Sequence, residues 1–200
     1  MNSYNIDFNS ISSFKNLSDE GIKILKESAE ILKFSLGQPI SKRGNISASI
    51  TIILKGESRL LSLSDTRNIT IAKLGPGSFI GLGPLLSQVP NEESTAATDL
   101  IGLSIPEETI FYLYKNEITF RNWCDNLLIP SEVLSISENI KESFESSFSV
   151  KEIFYFLLEK AKVNTLIKDE KFTFLEDKTY FLCSKGQGNI KHGSIIENVD

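Results

Sequence analysis

A run of closely spaced glycines is the feature that most constrains how this chain can fold. The run contains Gly75, Gly77, Gly81 and Gly83. Apolar residues within and after it predict a short helix, and these are Leu82, Leu85 and Leu86. Glycine lets backbone N–H groups approach a ligand, and a helix N-terminus attracts anions. The stretch therefore predicts a turn and short helix suited to an anion, with Ser94 and Thr95 as nearby hydroxyl donors.

Short β-rich runs surround this glycine stretch. They lie at 33–36, 48–54, 58–63, 69–73 and 100–105, and glycine or polar turns separate them. Gly56 falls between two of the runs and predicts a tight turn. Strands this short and this regularly spaced predict a β-roll or barrel.

Helical patterns flank the predicted strands on both sides. Ser18 is a candidate N-cap for an entry helix with one apolar face, formed by Ile22, Leu25, Ala29 and Leu32. Further helices are predicted over 107–115, 117–128 and, after the interruption at Pro130, 131–144. Phe120, Trp123 and Leu127 are interpreted as core or dimer contacts. The overall class is therefore α+β.

The C-terminal part reads as one more helix and a small β extension. Ser149 is a candidate cap for an apolar helix over 150–163. Two strands are predicted at 171–175 and 179–183, followed by a glycine-rich loop and a short apolar run at 194–196. We expect a domain of residues 1–128, comprising the roll with its entry and hinge helices, and an extension of residues 129–200.

Composition and charge exclude several classes of function. The formal net charge of −5 argues against the large basic face that nucleic-acid binding needs. Cys124, Cys183 and the single histidine, His192, lack metal-ligand spacing, so we expect neither a metal nor another cofactor. The sequence has no apolar run long enough to span a bilayer and no secretory signal. We expect a cytoplasmic chain with no membrane insertion of this segment.

No combination of residues in the sequence suggests catalysis. The acidic pairs Glu92–Glu93 and Glu107–Glu108 have no nucleophile or histidine beside them, so they are interpreted as solvated turns and helix starts. A phosphate-binding P-loop motif is also absent from the sequence. We therefore expect no catalytic residues and no enzymatic activity.

The order of these features resembles the cyclic-nucleotide-binding domain family over about residues 14–128. The resemblance rests on the Gly56 turn, which corresponds to a hairpin of the family, and on the stretch 75–86. It implies an eight-stranded double-stranded β-helix, the jelly-roll-like β-roll of that family, with flanking helices. It also implies a ligand-binding cassette at Gly81, Leu82, Gly83, Leu85, Glu93, Ser94 and Thr95.

Two positions depart from the pattern of the family. Leu82 stands where the family has its ribose-binding glutamate, and Glu93 stands near its phosphate-binding arginine. A carboxylate in place of arginine replaces attraction of a phosphate by repulsion. We therefore expect cyclic nucleotide binding to be altered or lost. In the alternative interpretation the glycines serve only turns and close packing, with no ligand.

The resemblance implies a non-catalytic regulatory or sensory module. Its candidate partners are a small nucleotide-like ligand, a second copy of the chain and the remainder of a transporter. The last candidate comes from residues 179–184 and 193–197, which resemble the β-rich junction of some bacterial ABC-type peptide exporters that contain a peptidase. The alternatives are a catabolite-activator-type transcription regulator, although a recognition helix is not evident, and a protein-interaction scaffold.

Overall fold

The computed structural model describes residues 6–64, 67–143 and 147–163, together with the short strands at 181–182 and 195–196. The helices in this part of the chain are α1 Asp19–Ser28, α2 Leu82–Ser87, α3 Glu107–Asn116, α4 Ile118–Asp125, α5 Pro130–Ser143 and α6 Val150–Lys160. The strands are β1 Glu30–Phe34, β2 Pro39–Ser41, β3 Ser49–Lys55, β4 Ser58–Ser64, β5 Arg67–Leu74, β6 Phe79–Ile80, β7 Ser94–Ala96, β8 Leu100–Pro106, β9 Phe181–Leu182 and β10 Ile195–Ile196.

Eight of these strands form two antiparallel four-stranded sheets. One sheet has the order β1-β8-β3-β6, and the other has the order β2-β7-β4-β5. The predicted α+β fold with an eight-stranded β-roll and flanking helices is therefore confirmed. Strands β2, β6 and β7 were not predicted as elements, because two or three residues are too few to display an alternating pattern.

Strand β3 of the first sheet is buried on both faces, which explains its nearly continuous apolar sequence. Ile50 and Ile52 pack with the surrounding helices, whereas Ile53 packs in the interior of the roll, between the two sheets. Both faces of this strand therefore need apolar side chains. Strand β4 of the second sheet instead exposes part of its length to solvent, with Leu60 inside and Arg59 exposed.

The turn at Gly56 carries the chain from one sheet to the other. Gly56 has φ +88°, and a Cβ at this position would lie 2.5 Å from the backbone oxygen of Asp99, so only glycine fits without strain. The flanking strands β3 and β4 lie where the sequence predicts them, but β3 pairs with β8 and β6 while β4 pairs with β5 and β7. The prediction of a hairpin was therefore wrong at this turn.

The helices on the outside of the first sheet form an aromatic core. Ser18 caps α1 by accepting a hydrogen bond from the Gly21 N–H at 3.1 Å, as predicted. Leu32 was predicted on this helix but lies in β1, because the chain leaves the helix after Ser28 and pairs with β8. The ring of Trp123 lies 4.9 Å from that of Phe79 and 6.1 Å from that of Phe120, so Phe120 is in the core and the half-buried Trp123 packs against it.

Helices α5 and α6 pack against each other and close the interior of the roll. Val133, Leu134 and Phe154 are buried there together with strand residues that include Leu60 and Ile71. The predicted helix over 117–128 ends at Asp125, and α5 begins at Pro130. The predicted division of the chain at residue 128 stays a prediction.

The C-terminal β extension is described only in part. Strands β9 and β10 pair antiparallel, with Leu182 opposite Ile195. The predicted strand at 171–175, the loop at 185–189 and His192 lie outside the described residues.

Candidate functional site

The predicted short helix of the cassette is present as α2, which Gly81 precedes as N-cap. Gly81 has φ +88°, a conformation that glycine adopts without the steric cost other residues meet, and its carbonyl accepts a hydrogen bond from Leu85 N–H at 3.1 Å. Leu82 and Leu85 are buried in the core between the first sheet and the helices. The backbone of the cassette is therefore fixed by apolar packing.

A carboxylate of the chain itself binds the backbone amide at the start of this helix. Glu92 Oε1 accepts a hydrogen bond from Gly81 N–H at 2.8 Å and another from Ser41 Oγ, also at 2.8 Å. Glu92 is only 3% exposed. The donor that the glycine pattern predicts for an anionic ligand is thus occupied by a side chain of this protein.

The surroundings of Glu92 act on its ionisation in two directions. Burial raises the pKa of the Glu92 carboxyl above its usual value, and the hydrogen bonds from Ser41 and Gly81 oppose part of this rise. The pair Glu92–Glu93 was predicted to be solvated, and for Glu92 this prediction was wrong. Two adjacent acids look alike in sequence, and only their position ahead of β7 decides which of them points inward.

Glu93 and its neighbours take different positions around the cassette. The Glu93 carboxylate is half-buried and accepts a hydrogen bond from Asn68 Nδ2 at 2.6 Å, on the second sheet. Ser94 is buried on β7, and its hydroxyl has no hydrogen-bond partner among the described residues. Thr95 is half-buried and lies opposite Arg59 and Pro39 in the strand register. Their role in ligand binding stays a prediction.

Helix α5 lies directly against the cassette. A Cβ built on Gly83 would collide with Ser131 Oγ and would lie 3.1 Å from the Ile129 side chain, so the absence of a side chain at Gly83 allows this approach. Farther along α5, Glu138 forms a bidentate ion pair with Arg43, with distances of 3.0 Å and 2.9 Å, and also accepts a hydrogen bond from the Ser62 hydroxyl. The helix is thus attached to the loop after β2 and to β4.

A small cavity remains beside the cassette. Its volume is ≈ 170 Å³. Its lining comes from β2, the loop that follows it and the cassette, and it consists of Pro39, Ile40, Ser41, Lys42, Asn45, Ser47, Gly81 and Pro84. Pockets for drug-sized ligands usually enclose about 300–1,000 Å³. The cavity in this conformation is therefore small for a nucleotide.

Two further findings bear on other kinds of function. Among the described residues, no group of histidine, cysteine, aspartate and glutamate side chains is arranged to hold a metal ion. In the same part of the chain, the helices are all too short or too polar to cross a membrane. Cys124 is buried, and Cys183 lies outside the described residues.

Comparison with known proteins finds one family model that is similar to the central region of the chain. Residues 31–117 match the family model described as cyclic nucleotide-binding domain. A search of curated proteins finds no significant match.

Among solved structures, two similar ones show the same fold. A protein assigned as a transcriptional regulator of the crp/fnr family from Eubacterium rectale is 18% identical, with a TM-score of 0.54 over 73% of this chain and 79% of that one. The regulatory domain of Toxoplasma gondii PKA, crystallised with cAMP, is 16% identical, with a TM-score of 0.52 over 74% of this chain and 53% of that one. These two structures show the fold of the chain, and residues 31–117 are similar to the cyclic nucleotide-binding domain family.

Proposed function

We propose that this domain is a non-catalytic regulatory module whose cyclic nucleotide binding is altered or lost because its own chain fills the cassette. Cyclic nucleotide-binding domains are regulatory, non-catalytic modules. The observation that carries the proposal is the hydrogen bond between the Glu92 carboxylate and Gly81 N–H. An amide N–H supplies one donor hydrogen, so a ligand phosphate would have to displace this carboxylate.

Charge around the cassette also supports the proposal. A phosphate that approached Gly81 would meet the buried Glu92, and the half-buried Glu93 follows it in the chain. Charges of the same sign repel strongly where water is excluded. Arg59 and Arg67 are exposed on the second sheet, so neither is buried beside Glu92 to offset its charge. Among the described residues, Lys42 is the one basic residue that lines the cavity beside the cassette.

Space argues in the same direction. Val133, Leu134 and Phe154 fill the interior of the roll together with apolar side chains of both sheets. A nucleotide base placed there would have to displace at least part of α5 or α6. The remaining cavity beside Gly81 has ≈ 170 Å³.

The output of the module is a further part of the proposal. We place it in the cytoplasm and give it another polypeptide as partner, either the remainder of a bacterial exporter or a second copy of the chain. The residues behind the exporter resemblance, 179–184 and 193–197, lie mostly outside the described residues, so this resemblance stays a prediction.

The proposal is tested by thermal unfolding of the purified chain with millimolar cyclic AMP or cyclic GMP, using 5′-AMP as a matched control. A ligand at 100 times its Kd would add about 2.7 kcal/mol, a rise in Tm of roughly 5–10 °C for a protein of this size. We expect no rise with any of the three nucleotides. A rise with either cyclic nucleotide and not with 5′-AMP would refute loss of binding.

A further inference from the structure

Helix α6 carries aromatic side chains on its exposed side. Ile153 and Phe154 are buried, whereas the next two residues, Tyr155 and Phe156, are 49% and 62% exposed. The solvated side of a helix normally carries charged or polar residues. Neighbouring exposed apolar side chains mark an interaction site more often than scattered ones do. We call Tyr155 and Phe156 the outer patch of α6.

The C-terminal strands β9 and β10 form a sheet of only two strands. Among the described strands, neither of them pairs with any other. The two strands consist of Phe181, Leu182, Ile195 and Ile196, which are all apolar residues. A two-stranded sheet is at best marginally stable in water, and it becomes stable by packing against a helix or further strands. The β9–β10 pair therefore needs an apolar surface that another element supplies.

The covalent connection favours α6 as the source of that surface. Residues 161–180 join the end of α6 to β9. A segment of about 20 residues can span up to roughly 70 Å, whereas α6 with its 11 residues is only about 16 Å long. The β9–β10 pair can therefore reach any position on α6. Two groups joined in this way meet at an effective concentration of about millimolar, so even a weak contact between them is populated.

We propose that the β9–β10 pair docks on the outer patch of α6 and thereby fixes the C-terminal extension to the rest of the chain. This contact supplies the pair with the helix that its stability requires. It also removes two exposed aromatic side chains from water, which is favourable. Docking at this place is independent of the cassette, so it holds whether or not a nucleotide binds there.

The outer patch can be removed without loss of a buried side chain. The double variant Tyr155→Ala with Phe156→Ala lacks both exposed rings, while alanine keeps a high helix propensity. The matched control is Phe111→Ala with Tyr112→Ala, which removes the same two kinds of ring from α3, where they are 43% and 37% exposed. The measurement is hydrogen exchange by mass spectrometry on the full chain, without ligand.

In the α6 double variant, we expect peptides that contain β9 or β10 to exchange at least about tenfold faster than in the wild type, a change equivalent to about 1.4 kcal/mol. The α3 double variant should match the wild type in these peptides, and β3 and β8 should keep their protection in both variants. Unchanged exchange of β9 and β10 in the α6 variant overturns the proposal. An equal acceleration in the α3 variant also overturns it, because the effect is then not specific to α6.

Cross-linking keeps the test decisive if the α6 double variant does not fold. Cys183 directly follows β9 in the chain, and Cys124 is buried. Phe156→Cys and Phe111→Cys each place one thiol at an exposed position, on α6 and on α3. With a short bismaleimide we expect a cross-link within one chain between Cys183 and position 156, and none between Cys183 and position 111. Cross-linking at both positions, or at neither, overturns the proposal.

Dilution separates this contact from one between two copies of the chain. A contact within one chain is independent of protein concentration, whereas binding of a second copy to the outer patch weakens on dilution. We expect the protection of β9 and β10 to stay the same over an about hundredfold dilution. Loss of protection on dilution, or a cross-link between two chains, assigns the patch to a second copy and overturns the proposal. No nucleotide is present in these measurements, so their outcome is separate from that of the nucleotide experiment.

Discussion

Helix α4 and helix α6 each bury one phenylalanine completely, but the two rings have different surroundings. The Phe120 ring on α4 stacks on Phe14 at 5.9 Å, in a cluster of aromatic and aliphatic side chains. The Phe154 ring on α6 has Tyr155, which is half-exposed, as its aromatic neighbour at 5.3 Å. The first ring lies among aromatic side chains outside the first sheet, whereas the second lies in the interior of the roll among aliphatic side chains of both sheets.

Polar contacts also differ between the two regions, because they are buried beside α4 and partly exposed beside α5. On the side of α4, the buried Glu117 accepts hydrogen bonds from the backbone and side chain of Ser18 and so joins the start of α1 to the start of α4. On the side of α5, the Arg43–Glu138 ion pair is partly exposed to solvent. The comparison teaches that a buried polar contact holds α1 to α4, whereas the polar contact that holds α5 to the roll is partly exposed to solvent.

The strongest way to break this comparison is to truncate both rings. Phe120→Ala should lower the free energy of global unfolding by about 3–5 kcal/mol, the usual cost for a buried phenylalanine. Phe154→Ala removes the same atoms, but its cost should fall mainly on the packing of α5 and α6 against the roll. Urea denaturation should therefore show a much smaller change for Phe154→Ala, with faster hydrogen exchange confined to 130–143 and 150–160. Equal losses of global stability in the two variants would show that α5 and α6 unfold together with α4.

A hydrogen bond within the α3–α4 layer sharpens the comparison next. Tyr114 donates its hydroxyl proton to Asp125 Oδ1 at 2.5 Å, and burial followed by this bond raises the pKa of Tyr114 to about 12. Tyr114→Phe should cost about 1.5 kcal/mol of global stability, because a hydrogen bond to a charged group is lost.

The dependence of stability on pH above 10 gives a second way to test the Tyr114 prediction. The folded pKa of Tyr114 is above the unfolded value of 10.0, so its contribution is complete below pH 10 and disappears as pH rises through about 12. The stability difference between wild type and Tyr114→Phe, measured by urea denaturation, should therefore shrink over that range. A constant difference up to pH 12 would argue against the hydrogen bond.

The smallest expected effect comes from a matched pair of helix caps. Ser18 Oγ accepts a hydrogen bond from Gly21 N–H on α1, and Ser149 Oγ accepts one from Glu152 N–H on α6. Ser18→Ala should lower global stability by at least about 1 kcal/mol, because α1 loses its N-cap and the buried Glu117 loses the Ser18 hydroxyl as a donor. Ser149→Ala should leave the global value unchanged and speed exchange only in 150–160. If Ser149→Ala lowered global stability as much as Ser18→Ala, α5 and α6 would not open independently of the rest of the fold.

Much of the fold could be predicted because glycine and apolar spacing encode backbone geometry. The turn at Gly56 and helix α2 after Gly81 lie where their sequence patterns indicate. The pairing of the strands around Gly56 could not be predicted, because a turn that joins two sheets and a hairpin both require glycine. Leu32 fits a helical face and a strand equally well, and only the partner strand decides between them.

The candidate site was less predictable than the fold. Glu92 and Glu93 are identical neighbours in sequence, yet one binds Gly81 and the other binds Asn68. The cover that α5 provides was also hidden, because serine and glutamate on a helix usually indicate a solvated face. Contacts between residues distant in sequence determine both features.

The most direct test of the central claim is the backbone amide resonance of Gly81, followed by ¹⁵N–¹H NMR. In the wild type this resonance should shift as Glu92 titrates, above the usual pKa of a glutamate, and the shift should be absent in Glu92→Gln. Addition of millimolar cyclic AMP should leave the resonance unchanged, because the carboxylate occupies the amide. A saturable shift of the Gly81, Ser94 and Thr95 amides on addition of cyclic AMP would contradict an internally filled cassette.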